Sequence, residues 1–190
     1  MAKGLSGLIL FHQLGTNMSN INETLARLEF AQIGWVVPDI KAAAKFLGQS
    51  LGIEFPKIER YDAEQLNIKY YGKVVPSDGW TTQTYNGGAF IELIQPLSGK
   101  SLFHDYLAKV PGGGVQHLAF RLPVSGFDQM IDDITKQGYP VVGEVDHPIA
   151  RMKFFDTYKT TGVATEIMGI TPEGWKAIEQ MKNSISKSRS

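Results

Sequence analysis

Gly114-Val115-Gln116-His117-Leu118-Ala119-Phe120-Arg121-Leu122-Pro123 is the stretch whose reading decides the fold. Residues 115–122 make a short, mostly apolar run that Pro123 stops. Ser125 then offers a helix cap, and Phe127, Met130, Ile131 and Ile134 recur at helical spacing until Gly138. A new strand starts over residues 139–142. The same order occurs once before. Residues 30–37 are a short apolar run stopped by Pro38-Asp39. Ile40, Ala43, Ala44, Leu47 and Leu51 then give one apolar helical face, Gly52 ends it, and Ile53-Glu54-Phe55 starts a strand. With Gln32 set against His117, Gly52 and Gly138 fall level to within one residue. Further strand-like runs follow in each half: 66–75, 81–85 and 89–94 in the first, 151–155 and 163–168 in the second. The chain therefore reads as two copies of β-α-β-β-β, an α+β fold whose two sheets meet around a shared concave face.

At 190 residues one domain is expected. Its two modules are placed at 29–97 and 113–170, within a single domain of 29–170. Residues 1–28 read as an N-terminal extension with a short helix at 22–28, and 171–190 as a C-terminal helix and tail. Thr171-Pro172-Glu173 starts that helix, and Trp175, Ile178 and Met181 give it a docking face. The chain has no cysteine, which removes disulfides, thiolate zinc sites, iron–sulfur clusters and cysteine nucleophiles. The 19 basic and 19 acidic side chains balance, so no nucleic-acid partner is expected. No apolar run approaches the roughly 18 residues of a membrane span, and no secretory leader stands out. A cytoplasmic protein with a small-molecule substrate and no membrane partner is the expectation. The apolar face of Leu102, Phe103, Tyr106, Leu107 and Val110, with the Trp175 helix, points to a homodimer.

Strand alternation singles out the chemistry. Phe30, Gln32, Gly34 and Val36 share one face; Val115, His117, Ala119 and Arg121 share another. Phe90, Glu92 and Ile94 form a third set, and Ala164, Glu166 and Met168 a fourth. Four polar residues thus sit in mid-strand among apolar or small neighbours. Each alone has an ordinary reading: a solvent-facing carboxylate, a hydrogen-bonded core histidine, a surface amide. Two carboxylates at matching places of a duplicated fold ask for one explanation, because buried Glu is rare unless paired or metal-bound. Two Glu, a neutral His and a Gln amide oxygen make a plausible ligand set for one divalent cation. Gly34, Ala119 and Ala164 would leave room above the ion.

At these residues the sequence resembles the vicinal oxygen chelate superfamily, which includes glyoxalase I, methylmalonyl-CoA epimerase, bleomycin-resistance proteins and extradiol dioxygenases. The stretches that carry the likeness are Gln32-Ile33-Gly34-Trp35-Val36-Val37-Pro38-Asp39-Ile40, Ile91-Glu92-Leu93-Ile94-Gln95-Pro96-Leu97, Gly114-Val115-Gln116-His117-Leu118-Ala119-Phe120 and Gly162-Val163-Ala164-Thr165-Glu166-Ile167. The resemblance covers residues 29–169. It implies a glyoxalase-like open barrel around a metal site, with Gln32, Glu92, His117 and Glu166 as ligands of one Zn, Ni, Co, Mn or Mg ion and no organic cofactor. The ligand set is similar to that of zinc-type glyoxalase I, and the surrounding sequence, with a helix over 100–109 and the glycines before His117, is similar to the epimerase.

The chemistry so implied is that of an isomerase, epimerase or lyase: proton transfer next to a carbonyl, the enolate stabilised on the metal. Glu166 is the candidate base. The epimerase carries a second glutamate on its third strand. Here the matching position falls at Ile68 or Lys69, neither a carboxylate, and Lys69 is the candidate replacement. Extradiol dioxygenases need two His and one carboxylate for Fe(II), and Gln32 stands where the first His belongs. A metal-free binding protein of the resistance type is the other alternative, set against by the presence of all four ligand positions.

Overall fold

The computed structural model describes residues 28–187, with side chains through 184. Strand β1 (Glu29–Val36) leads into helix α1 (Ile40–Leu51). Asp39 Oδ1 caps that helix, accepting from the N–H groups of Lys41 and Ala42 at 3.0 Å each. Gly52, at φ 66°, closes it in the left-handed conformation. Then come β2 (Glu59–Asp62), the short β3 (Lys69–Tyr70) and β4 (Lys73–Val74), β5 (Ser77–Asn86) and β6 (Ala89–Gly99). Helix α2 (Leu102–Lys109) joins the halves. The second half holds β7 (Gly114–Pro123), α3 (Phe127–Lys136), β8 (Val141–His147), β9 (Ala150–Phe155), the one-turn α4 (Tyr158–Thr161) and β10 (Ala164–Ile170). Helix α5 (Pro172–Lys187) follows.

All the strands join one ten-stranded sheet in the order β2-β5-β6-β1-β7-β10-β9-β8-β3-β4. β1 and β7 pair antiparallel at the seam. Outside them β6 runs parallel to β1 and β10 parallel to β7, so each half has the same internal plan. The sheet curls into an open half-barrel with α1 and α3 on its outer face, the expected α+β architecture. Alternation along the strands sorts side chains between the two faces. On the outer face Val37, Ile40, Leu47 and Leu93 pack together beneath α1. Leu122, Phe127, Met130, Ile131, Phe155 and Ile167 do the same beneath α3. The inner face carries Glu92 between Ile91 and Leu93, and Glu166 between Thr165 and Ile167.

Several expectations need correction. Residues 53–55 form no strand; the strand begins at Glu59, after Pro56, which has no amide hydrogen to give a ladder. The run 66–75 is no single strand. Asp62 Oδ1 accepts from the N–H groups of Glu64 and Gln65, making a turn, and Asn67 sits at φ 51°. Tyr71 and Gly72, both at positive φ, then fold β3 onto β4 as a two-residue hairpin. This hairpin is an insert in the first half that pairs with β8 of the second. Ser125 does not cap α3: residues Val124–Gly126 form a 3-10 turn, and the helix starts without a side-chain cap. Faces expected from simple alternation also shift. The β1–β7 pairing has irregularities at Ala31 and Gln116, which turn Phe30 onto Phe120 and set Val115 opposite Trp35.

Part of the apolar faces behind the expected homodimer is used within the chain, while Val110 stays exposed. Phe103 lines the inner cavity, Leu102 lies against Gly143, and Tyr106 Oη donates to the Val115 carbonyl. Ile178 and Met181 of α5 turn into the same cavity, and Trp175 stacks on Arg121 at 5.3 Å. The helix expected at 22–28 lies, but for Leu28, outside the described residues, as does the end of the expected tail. Among the described residues no helix is long and apolar enough to cross a membrane.

Phe127 is wholly buried, and Gly169 lies close beneath its ring. Phe127→Ala is expected to cost about 3–5 kcal/mol, read as a lower urea midpoint in equilibrium denaturation.

Candidate active site in the half-barrel

The four mid-strand residues converge. Gln32 of β1, Glu92 of β6, His117 of β7 and Glu166 of β10 come from four neighbouring strands of the sheet. Gln32 Nε2 donates to Glu92 Oε2 at 2.8 Å and lies 3.4 Å from His117 Nε2. His117 Nε2 is 3.6 Å from Glu92 Oε2 and 3.3 Å from Glu166 Oε2. His117 and Glu166 are buried, at 0% and 2% exposure. Glu166 Oε2 has no hydrogen-bond partner of its own. Thr81 Oγ1 donates to Glu92 Oε1 at 3.3 Å.

Packing fixes the imidazole. A Cβ built on Gly34 would fall 1.8–2.3 Å from the His117 ring atoms, so only glycine fits beneath it. The space Gly34 leaves is therefore filled by the histidine itself. Phe154 meets the ring edge-on at 5.2 Å, and Phe103 of α2 stands at 6.3 Å. The irregularity at Gln116 brings its side chain round to His117, with Oε1 accepting from Nδ1–H at 2.7 Å. The neutral ring then keeps its lone pair on Nε2, facing the carboxylates and Gln32. Gln116 Nε2 in turn donates to Tyr158 Oη at 2.6 Å, which locks the amide's orientation.

Among the described residues, no group of three or more His, Cys, Asp or Glu stands ready-arranged around a metal ion; the cluster is closed on itself by hydrogen bonds. Its chemistry nonetheless fits a divalent ion. Bonds of about 2.0–2.1 Å in a tetrahedral site put ligand atoms roughly 3.3 Å apart. The separations of 3.3, 3.4 and 3.6 Å between His117 Nε2 and its three neighbours are close to that. Half a turn of the Gln32 amide presents an oxygen in place of its nitrogen. The unpartnered Glu166 oxygen and the His117 lone pair complete the set.

The cluster lies at the head of a cavity of about 380 Å³. Ile94, Phe103, Phe154 and Met168 line it from the sheet and α2, and Ala177, Ile178 and Met181 close one end from α5. Leu66 and Ile68, in the strap that leads to β3, wall another side. Lys69 is not brought here. It follows Ile68 and so faces the other way, with Nζ 3.7 Å from Glu144 and 31% exposure of its side chain. The position where a second base was expected thus presents isoleucine to the cavity. Sequence reasoning passed over Gln116 because neighbours on a regular strand face opposite sides. Ala31 and Gln116 nevertheless occupy equivalent places before Gln32 and His117, and both interrupt the ladder. Tyr61, Phe103 and Phe154 were also missed, coming from a short strand, a linker helix and a β9 that showed only as an apolar run.

Without metal, the cluster is poised to hold protons. Burial pushes the Glu92 carboxyl up to about 7, with Glu166 adding to the rise and His117 and Thr81 opposing it. Burial alone would lower the His117 pKa, but the Glu166 carboxylate 3.3 Å away, with the charge of Glu92, holds it above the ordinary value. Both shifts mean that the folded state binds protons more tightly than the unfolded chain. Stability of the chelator-treated protein should therefore fall as pH rises from 4.5 to 8, spanning the Glu92 window from 4.5 to about 7 and the lower part of the His117 titration. Urea denaturation across that range checks this, and Glu92→Gln should flatten the slope.

Other proteins share this architecture. A protein of unassigned function from Bacillus halodurans has a TM-score of 0.54 and 22% identity, over 75% of this chain and 94% of its own. Methylmalonyl-CoA epimerase from Mycobacterium tuberculosis gives 0.53 and 22%, over 76% and 89%. A variant of the Streptomyces coelicolor methylmalonyl-CoA epimerase, in complex with 2-nitronate-propionyl-CoA, gives 0.51 and 23%, over 75% and 94%. No curated protein matches the sequence. The sequence profile of the Glyoxalase/Bleomycin resistance protein/Dioxygenase superfamily matches residues 31–155, a span from β1 to the end of β9 that takes in both halves of the barrel and three of the four converging residues. With its duplicated halves, its curled sheet and that match over most of its length, the chain belongs to this superfamily.

Proposed function

We propose that the protein is a metal-dependent isomerase, epimerase or lyase that moves a proton next to a carbonyl of a small molecule. The observation that carries this reading is the convergence of Gln32, Glu92, His117 and Glu166, with a buried Glu166 oxygen left unpartnered at the head of the cavity. These four residues would hold one divalent ion, Zn, Ni, Co, Mn or Mg. When bound, the ion supplies Lewis-acid polarisation of a substrate oxygen, which acidifies the adjacent C–H.

The chain's own groups do the rest. Glu166 is the base: its carboxylate lines the cavity and Oε2 has no hydrogen-bond partner among the described residues, so one oxygen can face the ion while the other accepts the proton. His117 is kept in one tautomer by Gln116, and Phe103 and Phe154 shield its ring from water. The class is one that this fold hosts, methylmalonyl-CoA epimerases being among its structural neighbours. A metal-free binding protein is the second reading, favoured by the way the cluster satisfies itself with hydrogen bonds.

Two measurements decide between them. Elemental analysis of protein purified without chelator should find one divalent ion per chain. Gln116→Leu, which removes the acceptor behind His117, should weaken zinc binding about 10–100-fold in competition with a chelator. Absence of metal, with no tightening on added zinc or cobalt, would leave the binding-protein reading standing. For the reaction, metal-loaded protein should carry solvent deuterium onto the α-carbon of its substrate, surveyed over acyl-thioesters, hemithioacetals and 2-keto sugars. Glu166→Gln should then lower turnover by about 10²–10⁴, more than Gln32→Glu, which keeps an oxygen ligand. Oxygen consumption with a catechol, and no exchange, would point instead to the dioxygenase branch.

A further inference from the structure

Tyr61 of β2 reaches into the cavity that holds the cluster, and its hydroxyl is buried with no hydrogen-bond partner. An unpartnered buried hydroxyl is costly, so a site that retains one offers it to something else. The strand around it is built to hold it there. Tyr61 pairs with Gly79 on β5, and a Cβ on Gly79 would lie 2.6 Å from the Tyr61 hydroxyl oxygen. One residue before each, Arg60 and Asp78 form an ion pair, and Asp78 also accepts from the N–H and hydroxyl of Ser98 at 3.0 and 2.5 Å. Burial, with the negative charges of Glu92 and Asp78, raises the phenol pKa, so the group stays a neutral donor.

The remaining lining says what the donor is for. Among the described residues no lysine lines the cavity; His147 does, with its Nδ1 accepting from the Ile149 N–H. The cavity's arginine, Arg121, is already engaged by Glu29 at 3.1 Å and lies over Trp175. With two carboxylates at the head, a divalent ion there brings the charge of the set only to zero. A substrate with a free carboxylate or phosphate would therefore find no lysine and no unengaged arginine along the described walls. The cavity volume of about 380 Å³ exceeds the roughly 150 Å³ that holds a benzene ring in an engineered core.

We propose that the cavity takes an uncharged substrate with an apolar body, and that Tyr61 donates a hydrogen bond to a substrate oxygen that the Gln32–Glu92–His117–Glu166 cluster does not engage. This rests on the reading of that cluster as the reacting head. Tyr61 then completes the donor set that the apolar Ile68 cannot supply, and stabilises charge developing on that oxygen.

The test uses the full chain, metal-free and zinc-loaded, with three probes of similar size in calorimetric titrations. These are 2-hydroxyacetophenone, neutral with two adjacent oxygens; mandelate, its anionic counterpart; and ethylbenzene, with no oxygen. In metal-free protein 2-hydroxyacetophenone should bind at least tenfold more tightly than mandelate. Tyr61→Phe should weaken 2-hydroxyacetophenone about five- to tenfold and leave ethylbenzene unchanged. The same substitution should keep or raise the unfolding midpoint, since it removes an unsatisfied hydroxyl; a merely structural tyrosine would lower it. Equal or tighter binding of mandelate, or a Tyr61→Phe effect equal on all probes or absent, overturns the proposal. Zinc separates this from the parent reading. If zinc tightens 2-hydroxyacetophenone but the probe pattern fails, only this proposal falls. If the pattern holds and zinc changes nothing, the metal reading falls instead.

Discussion

The imidazole of His117 lies against the backbone of Gly34 across the pairing of β1 with β7, and the rest of the molecule is arranged about that contact. A side chain on Gly34 would occupy the ring's place, so the seam between the halves can close in one register only. That register sets Gly34 opposite His117 and, through the parallel neighbours, Gly34 beside Glu92 and Ala119 beside Glu166. The polar residues are brought together by strand pairing rather than by loops, so their spacing inherits the rigidity of the sheet. The irregularities at Ala31 and Gln116 belong to the same design. Each precedes a cluster residue at an equivalent place, and the second supplies the amide that orients the histidine.

Much of this was legible because duplication makes a sequence test itself. One short apolar run with a polar residue in its middle says little. Two of them, each followed by a helix of similar length and a glycine stop, fix a plan. The outer-face helices followed from 3.6-residue spacing at Ile40–Leu51 and Phe127–Lys136, and the cluster residues from two-residue alternation along β6 and β10. Alternation failed where the ladder itself is irregular. Phe30 and Val115 looked like inner-face residues, and a single extra residue in each strand put them outside. Lys69 and Ile68 could not be told apart in advance, because the segment leading to β3 is too short to show a period. Nor could the sequence show that Phe103 of α2 and Ala177, Ile178 and Met181 of α5 line the cavity. That outcome depends on how far the sheet curls, a property of the whole assembly.

The interior of the cup joins two environments. Its head concentrates carboxylates, an imidazole and amides, which would cost several kcal/mol each if left unpaired in a dry core. Its body is aliphatic and aromatic. The head stabilises itself through mutual hydrogen bonds and a raised proton affinity, so the fold tolerates it before anything binds. Polar groups that violate core patterning while being held by second partners such as Gln116 and Thr81 mark a site maintained at some cost to stability.

The β3–β4 hairpin carries a consequence for the order of assembly in the cell. Lys69 pairs with Glu144, so the hairpin leaves the ribosome 75 residues ahead of the strand that receives it. At about 5–20 residues per second, it waits roughly 4–15 s with one edge unsatisfied. An open edge is a template for wrong partners during that interval. Two of its four strand residues are Lys69 and Lys73, and charge on a waiting edge is what discourages another chain from adding to it. The first half of the protein is thus made with a loose clasp whose chemistry keeps it free until its own second half arrives.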